Sequence, residues 1–532
     1  MRKVLPALLL SLASAAAQAE WLEASSDHFV VYGDTNERNL RRFAEQLERF
    51  DGALRAVTGV ARSKPTPSMR VTVYLTGSEG ALRRLLAQNG GDARNVAGFY
   101  IPRIEGSVAF VPTVFAASER SADIEWSMLM LLHEYAHHFQ YLHSRFPLPK
   151  WLTEGSAEFF GSASFEPDGS VVLGRPANHR VPELLRAPDV SAIDLVDEAH
   201  YAKRVGVNRR YDAYYGRAWL LYHYLTFEPS RKGQLSRYVQ ALMDGRPSRE
   251  AAESAFGDLE ALDKDMGRYM TRRNLSAFTV KADLIPIGDI KLRRLRPGEA
   301  EIMPVIMRSK RGVRTQQTAE EIVSDARAIA ARHPADAAVL AALAEAEGDV
   351  RNTAASLAAA ERALRLDPTN ITALMQRSFA LFHRARLARD PIAMGTAQDA
   401  LLALNAVETD HPIPLLYFYL SFTAMDVKPS ANAIAGLEKA VRIAPFSYDA
   451  SMILAHQRLL DGRTDDVRDL VLPVALNPHG GEIAARLRGW LAKLDTAAPG
   501  DTAALAAELR AMADGGSAPS ADASPDDRSA LR

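Results

Sequence analysis

The sequence contains no cysteine in its 532 residues. This absence excludes disulfide bonds, thiolate metal ligands, cysteine nucleophiles and lipid attachment through a cysteine. The chain also lacks an excess of either charge, because 64 Lys and Arg residues nearly balance 65 Asp and Glu residues and leave a net charge of −1. A balanced chain has no overall attraction to a polyanion. We therefore expect no nucleic-acid partner.

Long hydrophobic runs are missing beyond the N-terminus, so we expect no stable membrane insertion. At the N-terminus, Arg2 and Lys3 precede an apolar run from Val4 to Leu12, and a stretch of small residues follows and ends at Ala19. This three-part layout is typical of a secretory signal peptide. The sequence therefore predicts a signal peptide over residues 1–19 and an exported protein that is periplasmic or secreted.

The composition indicates a folded chain, since 47% of the residues are hydrophobic and 24% are charged. Residues 20–115 mix strand-like runs with a helical pattern and are predicted to form an N-terminal α/β part. Residues 116–280 follow a helical pattern and contain the candidate site. Residues 281–316 are rich in proline and glycine, which favours a linker or a small connecting module.

A repeat with a period near 34 residues follows residue 317. Prolines end successive predicted units at spacings of 34, 44, 33 and 33 residues, namely Pro334, Pro368, Pro412, Pro445 and Pro478. This period resembles that of the tetratricopeptide repeat. The resemblance implies an all-α solenoid over residues 317–495 that can bind a protein partner, and an ordinary helical bundle is the alternative. Residues 496–532 are rich in Ala, Ser, Asp and Gly and are predicted to form a disordered tail.

The segment from Leu131 to Phe139 contains the pattern H-E-x-x-H within an apolar helical stretch. Residues four apart lie on one face of a helix, so His133 and His137 can offer two imidazole nitrogens to one metal ion. Glu134 follows the first of these histidines, and its carboxylate can reach a water molecule on that ion. The pattern thus predicts a metal site with an adjacent general base.

A second segment, W-L-x-E-G-x-A-E, begins at Trp151. Sixteen residues separate His137 from Glu154, which allows a turn and the start of a second helix that passes the first. The carboxylate of Glu154 can then be a third metal ligand and leave one position for water. Glu158 lies one turn later and can accept a hydrogen bond from the outer nitrogen of a metal-bound histidine.

These two segments together resemble those of the gluzincin zinc metallopeptidases, in particular the peptidase MA-like domains. Over about residues 25–280, the resemblance implies an α+β zincin-like fold. It also implies one zinc ion per chain held by His133, His137 and Glu154, with Glu134 as the general base that helps zinc-activated water to hydrolyse a peptide or protein substrate. The sequence lacks the G-x-M-E-N segment with which the related aminopeptidases bind a substrate amine.

The same resemblance implies a hydrogen-bond donor opposite the zinc that stabilises the oxyanion of the transition state. Tyr215 is the first candidate for this catalytic role, and Tyr211 and Tyr214 are alternatives within the same aromatic segment. Packing in the core is the competing interpretation of that segment. The sequence does not distinguish among these assignments.

Two functions of different classes follow from these patterns. The first is an exported zinc metallopeptidase with an additional helical-repeat region for a partner or substrate. The second is a tetratricopeptide binding scaffold with an inactive peptidase-like domain. The complete ligand set and the general base favour the enzyme.

Overall fold

A computed structural model of the protein describes residues 21–88, 98–112, 126–144, 148–206, 211–476 and 481–515. Within these ranges, an N-terminal α/β region precedes a helical C-terminal region, which confirms the sequence prediction at this level. The predicted signal peptide and Pro478 lie outside the described residues. None of the helices in the described ranges is long and apolar enough to cross a membrane.

The strands of the N-terminal region form two sheets. They are β1 (Trp21–Ser25), β2 (Phe29–Asp34), β3 (Val71–Leu75), β4 (Phe99–Ile101), β5 (Val108–Val111), β6 (Ser164–Phe165), β7 (Val171–Leu173), β8 (Phe278–Val280) and β9 (Lys291–Arg294). The larger sheet has the order β4-β5-β3-β2-β1-β9, in which β2, β3 and β5 are parallel and β4 is antiparallel to β5. Strand β4 therefore lies at one edge of this sheet. Strands β6, β7 and β8 form the small second sheet.

Helices of the same region lie on and beside the larger sheet. They are α1 (Glu37–Thr58), α2 (Glu79–Ala87), α3 (Trp126–His143), α4 (Lys150–Gly161), α5 (Val181–Arg186), α6 (Ala192–Val196), α7 (Glu198–Val205), α8 (Tyr214–Phe227), α9 (Gln234–Met243), α10 (Ser248–Phe256) and α11 (Leu259–Met270). A short 3-10 helix, Asn178–Arg180, precedes α5. The sequence pattern predicts α1 well, because its apolar residues recur every three or four positions and are buried.

The helical C-terminal region follows β9. Its helices are α12 (Pro297–Lys310), α13 (Gln316–Arg332), α14 (Ala337–Asp349), α15 (Thr353–Leu366), α16 (Ile371–Ala388), α17 (Pro391–Val407), α18 (Pro412–Thr423), α19 (Ala431–Ile443), α20 (Tyr448–Leu460), α21 (Val467–Ala475), α22 (Gly481–Leu494) and α23 (Thr502–Gly515).

The repeat prolines in the described ranges mark the boundaries between these helices. Pro334, Pro368 and Pro445 lie in short connections, and Pro412 is the first residue of α18. Proline is tolerated there because its missing N–H group would be unpaired in any case. The long 44-residue interval is absorbed by longer helices, since α16 and α17 have 18 and 17 residues.

The segment over residues 281–316, predicted as a linker or a small connecting module, contains β9 and α12. Strand β9 pairs with β1, and α12 places Met303 and Met307 in an apolar cluster with Tyr74 and Phe110 of the sheet. The opposite face of the sheet packs against α1 and α3. Helix α12 therefore completes the core of the N-terminal region. The sequence does not predict β9, because its residues K-L-R-R show no alternation of apolar and polar side chains.

The predicted disordered tail over residues 496–532 also differs in its first part. Helix α23 buries Leu505 and Leu509 in a cluster with Trp490 of α22. The two leucines are four residues apart, so they lie on one face of α23 and pack together against this cluster. The residues beyond Gly515 lie outside the described part of the chain.

Candidate metal centre

Helix α3 holds the H-E-x-x-H pattern in a fixed orientation. Its apolar residues, among them Leu132 and Ala136, belong to the core that also contains the sheet and α1. The hydroxyl of Tyr135 donates a hydrogen bond of 2.8 Å to Oδ1 of Asp51 in α1. This buried hydrogen bond and the surrounding packing fix the direction in which the neighbouring histidines project.

Helix α4 carries Glu154 past α3. Trp151 anchors the first turn of α4, since its side chain is fully buried. The indole N–H of Trp151 donates a 2.9 Å hydrogen bond to the hydroxyl of Tyr238. A Cβ atom at Gly155 would lie less than 3.0 Å from the carbonyl oxygen of Ala218 in α8. At Gly161, it would lie 3.1 Å from the backbone nitrogen of His133. The two glycines therefore allow α4 to pack closely against both α8 and α3.

Three side chains from these two helices converge. Nε2 of His133 lies 3.0 Å from Nε2 of His137, and Oε2 of Glu154 lies 3.3 Å from Nε2 of His137 and 3.6 Å from Nε2 of His133. In the described part of the chain, these residues form the one group whose arrangement can hold a metal ion. The predicted ligand set is therefore brought together.

The donor set and its spacing fit zinc. Tetrahedral zinc with bonds of roughly 2.0–2.1 Å requires ligand atoms about 3.3 Å apart. The three separations are 3.0, 3.3 and 3.6 Å. Two imidazoles and one carboxylate also leave a fourth position open, as in catalytic zinc sites.

The charge of the site favours a cation. Burial lowers the pKa of His133, but the carboxylates of Glu158, Glu154 and Glu134 outweigh burial and raise this pKa to about 10. These carboxylates thus stabilise positive charge at His133. A divalent cation at the same place would be stabilised in the same way.

Glu158 lies beside the outer ring nitrogen of the candidate ligand His133, where the sequence predicts it. Its Oε1 atom is 3.2 Å from Nδ1 of His133, although the two atoms are not aligned for a linear hydrogen bond. The side chain of Glu158 is fully buried, and it also accepts hydrogen bonds from His179, at 2.6 Å, and from Arg180. Burial raises the pKa of Glu158, but His133, His179 and Arg180 outweigh it and hold this pKa well below its usual range.

No sequence pattern points to His179 and Arg180 as residues of this site. Both lie on the short 3-10 helix over Asn178–Arg180, 21 and 22 residues after Glu158, and belong to no recognisable motif. Arg180 also places its guanidinium 4.9 Å from the centre of the Tyr215 ring and pairs with Glu183. One cation therefore contacts both the buried carboxylate behind the ligands and the candidate oxyanion donor.

Glu134 is half-buried on α3, between the two histidine ligands in sequence. The charge of its carboxylate raises the pKa values of both His133 and Tyr215. The general-base candidate therefore lies near a ligand and near the donor candidate.

The three candidate tyrosines have different surroundings. Tyr211 is 71% exposed, and its hydroxyl donates a 3.3 Å hydrogen bond to Glu183. Tyr214 is buried, and its hydroxyl has no hydrogen-bond partner. The carboxylate of Glu154 is the main cause, ahead of burial, that raises the pKa of Tyr215 well above its usual value. Tyr215 is thus a protonated phenol beside a candidate metal ligand.

One family model matches part of the chain, and it assigns no activity. Residues 127–247 match a family described as a protein of unknown function, DUF1570. The match begins in α3 and ends after α9, so it contains all three candidate ligands and Tyr215. No curated protein matches the chain.

Proposed function

We propose that the protein is an exported zinc metallopeptidase that hydrolyses peptide bonds. The observation that carries this proposal is the grouping of His133, His137 and Glu154 at separations that suit tetrahedral zinc. The α/β region then corresponds to a zincin-like domain of the gluzincin type, and the helical region to tetratricopeptide-like repeats.

The residues of the chain have distinct roles in this proposal. A zinc ion held by His133, His137 and Glu154 would polarise a substrate carbonyl and make water more acidic. Glu134 accepts a proton from the attacking water and later delivers it to the leaving amine. The hydroxyl of Tyr215 donates a hydrogen bond to the carbonyl oxygen as negative charge develops there. Glu158 holds the ring of His133 in place from behind.

Strand β4 gives the proposed enzyme a place for an extended substrate. It is one of the two edge strands of the larger sheet and packs against α3. An edge strand can pair with an extended peptide through backbone hydrogen bonds. This arrangement favours a peptide or protein substrate over a small molecule.

Glu134→Gln tests the proposal. The amide retains the size of the side chain but cannot act as a base at neutral pH, so hydrolysis of a quenched peptide library should be abolished while zinc remains bound. Glu260→Gln, at an exposed position of α11, is the matched control and should keep full activity. Equal turnover by Glu134→Gln would remove this residue from the mechanism.

The alternative, a binding scaffold with an inactive peptidase-like domain, predicts a different result. The wild-type protein would then bind zinc through the same residues, yet no peptide in the library would be cleaved. A chelator separates the two functions further, because it should abolish hydrolysis by the enzyme and leave partner binding by a scaffold intact.

A further inference from the structure

The turn that joins β4 to β5 reaches into the helical C-terminal region. Ile104, near the centre of this turn, packs against two apolar clusters of that region and against a third that the region forms together with Met69. These clusters include Leu374 of α16, Leu416 of α18 and Phe446 of the α19–α20 connection. One side chain of the turn thus contacts clusters to which α16, α17, α18, α19, α20 and the α19–α20 connection contribute.

A partly buried polar contact lies beside this apolar one. The backbone N–H and the hydroxyl of Ser68 donate hydrogen bonds of 2.9 and 2.7 Å to the two carboxylate oxygens of Glu408, which follows α17. Gly106 in the β4–β5 turn has a φ of +125°, and a Cβ atom there would lie 2.6 Å from the carbonyl oxygen of Ser68. The turn, the segment of Ser68 and the helical region are therefore in close contact at one point.

Charged side chains complete the contact. Arg103 donates a 2.8 Å hydrogen bond to Glu105 within the turn. Lys310 of α12 donates a 2.7 Å hydrogen bond to Glu345 of α14. Burial raises the pKa of Glu105, but Arg103 and Lys310 outweigh it and lower this pKa below its usual value. Each of these ion pairs lies on one side of the contact, and the charge of Lys310 acts across it on Glu105.

The same part of the helical region contacts the metal helix. Phe446 belongs to an apolar cluster against which Tyr141 and Leu142 of α3 pack, and its ring centre lies 5.8 Å from that of His138. His138 in turn lies 2.5 Å, through Nδ1, from the hydroxyl of Tyr100 in β4. Strand β4, helix α3 and the helical region therefore meet around His138, the residue that follows the ligand His137.

We propose that this surface of the helical region takes the β4–β5 turn of its own chain as its ligand, and that the contact positions edge strand β4 against α3. Ile104 and Phe446 are then positioning residues for β4, the strand that would pair with the substrate. Neither residue contacts a candidate metal ligand in the described part of the chain. The effect of this contact on catalysis rests on the peptidase function proposed above. In this proposal, the turn occupies this surface, and an external partner of the helical region would bind elsewhere on it.

Ile104→Ala tests this proposal in the full-length protein. Loss of the apolar contact should accelerate hydrogen–deuterium exchange in residues 98–112 and leave one zinc per chain. It should raise KM for an extended peptide by roughly fivefold to tenfold with little change in kcat, as expected when one or two substrate hydrogen bonds weaken. Phe446→Ala removes the other side of the contact and should change hydrogen–deuterium exchange and KM in the same way.

Two further variants distinguish positioning from general loss of structure. Ile392→Ala removes the same atoms from a side chain that is 86% exposed on α17, so it should change neither exchange nor KM. Ile104→Val keeps a branched apolar side chain and should restore most of the wild-type KM. If Ile104→Ala does not fold, Ile104→Val and Glu408→Gln, which weakens the contact to Ser68, should show smaller changes in the same direction.

The outcomes separate this proposal from the peptidase function. If exchange over residues 98–112 and KM are unchanged in both Ile104→Ala and Phe446→Ala, the positioning role is wrong. If the wild-type protein cleaves no peptide, the peptidase function fails, and the exchange measurement alone decides whether the helical region holds β4. Tight binding of an external protein to the wild-type surface, without release of the turn, would also overturn the proposal.

Discussion

Nε2 of His137 lies 3.3 Å from Oε2 of Glu154, although the two residues belong to different helices. The approach depends on the glycine that follows Glu154, because Gly155 lets α4 pack against the backbone of α8 near Ala218. The W-L-x-E-G segment therefore has two physical functions: a glutamate offers an oxygen, and a glycine allows its helix to come close enough.

Gly155→Ala tests this relationship. The added methyl group would clash with the carbonyl oxygen of Ala218, so α4 must shift and carry Glu154 away from the histidines. We expect a destabilisation of about 1–3 kcal/mol and weaker zinc binding, measured by urea unfolding and by competition with a zinc chelator. Gly267→Ala is the matched control, since nothing lies within 4 Å of its Cβ position on α11, and it should be neutral or slightly stabilising. Wild-type zinc affinity in Gly155→Ala would contradict the packing argument.

Tyr215→Phe tests the oxyanion donor. Loss of one such donor lowers kcat by about 10²–10³-fold, and KM and zinc content should change little because the ring remains. Tyr214→Phe and Tyr211→Phe are the controls at the two alternative positions, and both should keep most of the activity. If Tyr214→Phe instead lost the activity, the donor would be the buried hydroxyl that has no hydrogen-bond partner.

The pair formed by Arg180 and Glu158 predicts non-additive effects. Arg180→Met removes the guanidinium that pairs with the fully buried Glu158 carboxylate, which should cost about 3–5 kcal/mol of unfolding free energy. Adding Glu158→Gln to Arg180→Met removes the buried charge and should recover part of that loss. Glu158→Gln alone should weaken zinc binding by about 10–100-fold, because the amide orients His133 less well. Purely additive unfolding free energies would mean that the two side chains do not depend on each other.

Asp349 predicts a pH dependence far from the metal centre. Burial, followed by the charge of Glu345, raises the pKa of Asp349 to about 7, against the opposing effects of Ser309, Lys310 and Arg103. The folded protein binds this proton more tightly than the unfolded chain does, so the ionised carboxylate destabilises the fold fully above pH 7 and progressively less as the pH falls towards 4.

Asp349→Asn removes this penalty. It should stabilise the protein at pH 8, by up to about 4 kcal/mol at 1.36 kcal/mol per pKa unit, and the gain should shrink as the pH falls to 5. Urea unfolding at the two pH values measures the difference. Asp469→Asn, at an exposed position of α21, is the control and should show no such trend. An equal gain at both pH values would assign the effect to packing.

The sequence was sufficient for the parts of the site that depend on local spacing. The i, i+4 relation of His133 and His137 and the position of Glu154 on a following helix need only helix geometry, and the structure brings these three together. His179 and Arg180 could not be found in this way, because they reach Glu158 only through tertiary packing. Likewise, β9 joins the sheet by backbone pairing to β1, a contact that its side chains do not encode.

The zinc content of the purified protein tests the central claim most directly. After dialysis against a weak chelator, we expect one zinc ion per wild-type chain, and less than a tenth of that in His133→Ala, His137→Ala and Glu154→Ala. His200→Ala, at a side chain that is 48% exposed on α7, should keep the full zinc ion. A wild-type protein that contains no stoichiometric zinc, even after reconstitution with excess zinc, would contradict the account, as would equal zinc in all four variants.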